Sequence, residues 1–189
     1  MEVRFIPLGG LTLEEYKEIY RLRSAVWPPK EPSTPEEKYE EYKSRKAEHP
    51  EGFSVVYDDG GLVGTAFIGE RIIGTGRGDI PVMALGGVCS DPALRGRGYG
   101  AEAVKKVFSY IGGDGYPVCL FQTSFKVEPF YLKLGAKRIA NRIFNSNAQK
   151  KLETVKKTKR QVFWDDIVMI YPGAYDWPEG DVDIRGPGF

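Results

Sequence analysis

The sequence predicts an α/β fold, in which helices cover a mixed sheet, and three observations predict it. An apolar run, Val82 to Val88, leads through a turn of alternating glycines and arginines into an amphipathic helix that ends near Ile111. A hairpin signature, Asp58, Asp59, Gly60 and Gly61, separates two further apolar runs. Helix-start signatures at Thr12 and Thr34 precede both.

Taken in order, Val3 to Leu8 has the alternation of a strand. Thr12 and Glu15 form a capping box, and Tyr16, Ile19, Tyr20 and Arg23 then fall on one helix face. Thr34, Pro35 and Glu37 repeat the start signal, for a helix expected to end at His49 and Pro50. Phe53 to Tyr57 and Leu62 to Ile73 are the hairpin strands, because Asp-Gly tolerates the positive φ that a two-residue turn demands. After the strand Val82 to Val88, Asp91 and Pro92 mark its exit. Tyr99, Ala103, Val104, Val107, Phe108 and Ile111 recur at helical steps, with Glu102, Lys105 and Lys106 on the other side and Gly112, Gly113, Asp114 and Gly115 as the stop. Val118 to Thr123, Lys137 to Phe144 and Gln161 to Tyr171 read as strands, the last two separated by a lysine-rich connection.

The turn between strand and helix carries the chemistry. A helix start leaves its first amides without internal partners and carries partial positive charge, so glycines that let a ligand approach make a phosphate cradle there. Arg95, Gly96, Arg97, Gly98, Tyr99, Gly100 and Ala101 supply that turn. A Walker loop is excluded, since no Gly-Lys-Ser or Gly-Lys-Thr triplet stands at the helix start. A dinucleotide pattern is met by Gly96, Gly98 and Ala101, yet no acid follows near Phe121 to hold a ribose.

Arg95, Gly98 and Gly100 after a strand, followed by PFYLKLGAKRI at Pro129 to Ile139, resemble the two hallmarks of the GNAT superfamily, the Gcn5-related N-acetyltransferases. The resemblance implies a mixed sheet of about seven strands, splayed between its two central parallel strands and flanked by about four helices. It implies acetyl-CoA as co-substrate, with the pantetheine arm on the backbone of Val88, Cys89 and Ser90 and the diphosphate on residues 95 to 101. Tyr131 matches the family's tyrosine acid; a phenol titrates near 10 and so is protonated at neutral pH. Phe130 is expected to be the core-facing member of that pair. Where many relatives carry a basic glutamate this chain has Ala84, Leu85, Gly86 and Gly87, which leaves Glu70, at the end of the hairpin strand, Glu128, the C-terminal acids or solvent as the base.

The implied activity is transfer of an acetyl group to a primary amine of a small molecule. The alternatives are an acyl-CoA-binding regulatory module without turnover and a dinucleotide-binding protein. The C-terminal run DWPEGDV is similar to the end of aminoglycoside 2′-N-acetyltransferases, which implies Trp177 and Asp181 as acceptor contacts and an amino-sugar or polyamine as acceptor.

Composition sets outer bounds. With 189 residues, 41% of them hydrophobic, the chain is expected to form one domain over residues 1 to 189, with an extension from about 172 to 189. A net charge of +1 argues against nucleic acid as partner, and the basic run from Lys150 to Arg160 has no interleaved aromatics. His49 is the single histidine, so neither a histidine triad nor a histidine-rich metal site is expected. Cys89 and Cys119 sit in apolar strands, and no leader or membrane segment is recognisable, which together point to a reducing cytoplasm. A homodimer is compatible with all of this.

Overall fold

The computed structural model describes residues 1–45, 48–112, 115–147 and 163–189. They divide into two compact units, Met1–Gly69 with Leu85–Tyr110, and Glu70–Ala84 with Ile111–Phe189.

In the first unit, β1 (Glu2–Pro7), β2 (Gly52–Asp58) and the first part of β3 (Gly61–Thr75) form antiparallel ladders, in register at Pro7↔Gly52 and Ser54↔Ala66. Asp59 and Gly60 both take positive φ, 48° and 77°, as a primed hairpin turn requires. Both capping boxes form: Thr12 opens α1 (Leu13–Val26) and Thr34 opens α2 (Pro35–Lys43). Tyr16, Ile19 and Leu22 of α1 are buried with Ile6, Leu8, Leu11, Phe53, Val55 and Leu62, and each such side chain contributes roughly 1.5–3 kcal/mol. The last part of β4 (Gly78–Ser90) leads to α3 (Tyr99–Phe108), whose buried face is Tyr99, Ala103, Val104, Val107 and Phe108.

Two helix ends differ from expectation. α2 stops at Lys43, well before His49, because the Ser44 hydroxyl donates to the Glu41 carbonyl at 2.8 Å and the Arg45 amide turns to Tyr42 at 3.1 Å. α3 stops at Phe108, where the Ser109 hydroxyl donates to the Lys106 carbonyl at 2.7 Å, so Ile111 is outside the helix and bridges to Tyr116. Gly113 and Asp114 of the expected stop lie outside the described residues.

In the second unit, Val82–Ala84 of β4 pair in parallel with β5 (Val118–Thr123), from Val82↔Val118 to Ala84↔Leu120. This register is shorter than either strand, as a splayed central pair requires. β5 pairs antiparallel with β8 (Ile167–Tyr171), and β8 with β6 (Lys137–Ile139), which follows α4 (Glu128–Lys133). The strand expected over Lys137 to Phe144 is split. Asn141 donates to the carbonyls of Pro178 and Gly180 at 3.0 and 2.7 Å, and β7 (Ile143–Phe144) pairs with β9 (Val182–Asp183) instead of β8. Ile73, Val82, Val118, Leu120, Ile170, Val182 and Ile184 form this unit's core.

The β3–β4 hairpin is longer than the sequence implied. β3 runs to Thr75 and β4 begins at Gly78, so Glu70 lies within a strand and not at its end. The strand expected over Gln161 to Tyr171 begins at Ile167; Gln161 and the basic run Lys150 to Arg160 lie outside the described residues. Cys89 and Cys119 are buried and are not joined by a disulfide. Among the described residues no helix is long and apolar enough to cross a membrane.

Candidate active site

The segment from Val88 to Ala101 lies within the first unit. The Asp91 amide donates to the Val63 carbonyl at 2.9 Å, which fixes the exit of β4 to β3, and Asp91 Oδ1 accepts the Ala93 amide at 2.8 Å to turn the chain. Gly96 and Gly98 then take φ of 85° and 87°, a region in which a Cβ costs roughly 1–2 kcal/mol. Gly98 is the N-cap of α3, and no side chain caps it. The Glu102 amide is the first to reach a carbonyl of the turn, that of Gly98 at 3.1 Å. Among the described residues no acceptor meets the amides of Gly98, Tyr99, Gly100 and Ala101. A Cβ at Gly96, Gly98 or Gly100 would meet nothing within 4 Å, so the turn is open on the side where these glycines lack a side chain. Arg95 and Arg97 are exposed beside them. Free amides, open space and flanking guanidinium groups fit a diphosphate.

The strand before this turn carries two further features. The Cys89 thiol is pushed up to about 11 by burial, against the pull of Arg23, so it is no thiolate nucleophile at neutral pH. Gly87 has φ of 59° inside β4, and a Cβ there would meet Arg23 Nη2 at 3.0 Å. Arg23 Nη1 donates to the Tyr42 hydroxyl at 3.1 Å. Burial opposes the charge on Arg23, but Tyr42, Tyr16 and Cys89 outweigh it and raise the guanidinium. Arg23, Tyr16 and Tyr42 line a cavity of about 390 Å³ between α1 and α2, which Tyr20 and Trp27 also wall. Sequence reasoning gave Arg23 no function, although a charged residue on the otherwise aromatic and aliphatic face of α1 was a visible signal.

Tyr131 lies in the second unit, on α4. It is the core-facing member of its pair, 5% exposed, whereas Phe130 is half-buried, the reverse of the expectation. Its ring packs tilted against Phe121 and edge-on against Phe130, with centroids 4.5 and 4.8 Å away, and among the described residues its hydroxyl has no hydrogen-bond partner. Burial first, then Cys119 and Asp165, hold the phenol well above its ordinary range.

Trp177 and Asp181 belong to the same unit as Tyr131. Trp177 Nε1 donates to Asn141 at 2.9 Å and its ring packs on the unit's core, while Asp181 meets Arg142 at 3.4 Å. Asp176 is held by Arg77 at 2.6 Å, and Asp183 accepts the amides of Ser146 and Arg185 at 3.0 and 2.9 Å. Three of the tail's acids are thus bound to groups of their own unit. Among the described residues no cluster of metal-ligating side chains occurs.

A strand, a glycine turn with unpaired amides and a following helix stand in sequence on a mixed α/β fold, and such a helix start can receive an anion. The acetyltransferase (GNAT) domain family matches residues 9–139, and the chain belongs to that family. No curated protein sequence matches it significantly. Similar solved structures include a GCN5-related N-acetyltransferase from Kribbella flavida, at 20% identity and TM-score 0.57, over 72% of this chain and 33% of that one. Escherichia coli ElaA is similar at 16% identity and TM-score 0.57, over 89% and 97%, and a Trypanosoma brucei acetyltransferase at 23% and 0.58, over 75% and 94%. The chain therefore spans about a third of the Kribbella flavida protein and nearly all of ElaA. These likenesses agree with the GNAT fold expected from Arg95, Gly98, Gly100 and Pro129 to Ile139.

Proposed function

We propose that residues 1 to 189 act as one acetyltransferase domain, with an extension from about 172 to 189, that moves an acetyl group from acetyl-CoA to a primary amine of a small molecule. The observation that carries this reading is the set of unpaired amides at the start of α3. Arg95, Gly96, Arg97, Gly98, Tyr99, Gly100 and Ala101 would hold the diphosphate, and the backbone of Val88, Cys89 and Ser90 the pantetheine arm.

In the reaction the neutral amine nitrogen bonds to the thioester carbon, the carbon–sulfur bond breaks, and Tyr131 protonates the departing thiolate. A hydroxyl without a competing acceptor and a phenol held protonated by burial support that role. No acid lies at Ala84 to Gly87, so the amine proton leaves to solvent or to a carboxylate such as Glu70 or Glu128, and positioning supplies much of the acceleration. Two buried cysteines outside any disulfide suit a reducing, cytoplasmic location. An amino-sugar or polyamine acceptor would rest on Trp177 and Asp181, and requires their contacts with Asn141 and Arg142 to open.

The test is thiol release from acetyl-CoA across a panel of amines. Amine-dependent release supports the transferase; tight acetyl-CoA binding with no release from any amine replaces it with a binding module.

A further inference from the structure

We infer that the cavity between α1 and α2 is the acceptor pocket and that Arg23 selects an amine bearing a carboxylate, as an amino acid does. The inference rests on the proposed acetyl transfer and puts a carboxylate-bearing amine in place of the amino-sugar or polyamine acceptor at Trp177 and Asp181.

Three cations line the cavity, and two already have acids. Arg45 forks onto Glu51 at 3.1 and 2.6 Å, and Lys38 reaches Glu41 at 2.8 Å. Arg23 has none among the described residues: one of its five N–H groups goes to the Tyr42 hydroxyl, and its other polar neighbours are Tyr16 and Cys89. Burial holds both of those groups protonated at neutral pH, so neither supplies a negative charge. A guanidinium withdrawn from water without a counter-charge is costly, and its planar fork is the group that recognises a carboxylate in two parallel bonds.

The position adds direction. Arg23 lies against Gly87, one residue before the Val88 backbone to which the pantetheine arm is assigned. A carboxylate bound at Arg23 keeps its own amine close to that strand end, and Tyr16, Tyr20, Trp27 and Tyr42 give an apolar wall for a side chain. A volume of about 390 Å³ suits an amino acid. The lining also includes Glu41, whose charge Lys38 offsets.

The test compares matched pairs with the full chain and acetyl-CoA: L-phenylalanine against phenethylamine, and L-leucine against isoamylamine. The carboxylate-bearing member is expected to have the higher kcat/KM by about tenfold to a hundredfold, and Arg23→Gln to collapse that ratio toward unity. Equal use of both members, or a ratio that survives Arg23→Gln, overturns the inference. If no amine is acetylated, the transferase reading fails by itself and calorimetry decides the pocket: 3-phenylpropionate should bind and its amide should not. Binding of both or of neither overturns the inference. Should Arg23→Gln fail to fold, the matched ligands on the parent protein and on Tyr42→Phe, which removes the hydroxyl that orients the fork, give the same decision.

Discussion

The Tyr99 hydroxyl donates to the Asp58 carboxylate and so joins the first turn of α3 to the end of β2. That bond is the main cause that holds the Asp58 carboxyl below its ordinary 3.8 and raises the Tyr99 phenol. A carboxyl depressed in the folded state adds stability above its unfolded value and loses it as the pH falls through the folded one. Asp58→Asn should therefore lower the melting temperature between about pH 5 and 8, with the gap to the parent closing in acid. Thermal melts across pH check this; a gap of constant size contradicts it.

Gly98 and Gly100 serve different ends. Gly98→Ala forces a Cβ into φ of 87° and should cost about 1–2 kcal/mol of stability. Gly100 is inside α3 without positive φ, and a methyl there meets nothing within 4 Å, so Gly100→Ala should hold or raise stability by up to about 1 kcal/mol. The same methyl points into the open space assigned to the diphosphate and should weaken acetyl-CoA binding by about tenfold or more, since a tenfold loss is about 1.4 kcal/mol. Melting curves beside calorimetric titrations separate the two effects; unchanged affinity in Gly100→Ala would count against the cradle.

What was legible follows from how local each signal is. Thr12 with Glu15, Thr34 with Glu37, and Asp59 with Gly60 act over a few residues, and all three formed as expected. The buried face of α3 followed from periodicity alone, apart from Ile111. The end of α2 was not legible, because Ser44 competes with the helix for a carbonyl. Nor was the split of Lys137 to Phe144, which depends on Asn141 reaching Pro178 and Gly180. Adjacent aromatics in a six-residue helix, Phe130 and Tyr131, share too little periodicity to tell which one faces inward. Arg23 was read as part of a face, but its lack of an acid partner is a property of three elements packed together.

Tyr131→Phe should leave acetyl-CoA affinity intact and lower kcat by about 10²- to 10⁴-fold. Because the hydroxyl has no partner among the described residues, stability should change by no more than about 0.5 kcal/mol. Burial keeps the phenol protonated, so the parent's pH–rate profile should show no alkaline fall from this group below about pH 10. Stopped-time thiol assays from neutral to alkaline pH read both effects.

Gly52 tests the scaffold away from the site. A Cβ there would lie 2.2 Å from the Ile6 carbonyl oxygen and 2.9 Å from Pro7 Cα, both backbone atoms of the β1 ladder. Gly52→Ala should cost about 3 kcal/mol through strain and a displaced strand. Chemical denaturation measures this, and a loss below about 0.5 kcal/mol, the range of an ordinary surface change, would show that the edge is softer than its register implies.

The amides opening α3 are proposed to receive the diphosphate of coenzyme A. Amide chemical shifts of the ¹⁵N-labelled chain, followed while coenzyme A is added, address this residue by residue. The largest shifts are expected at Gly96 to Ala101, all following one saturation curve; shifts centred elsewhere, with these amides unmoved, would overturn the diphosphate assignment.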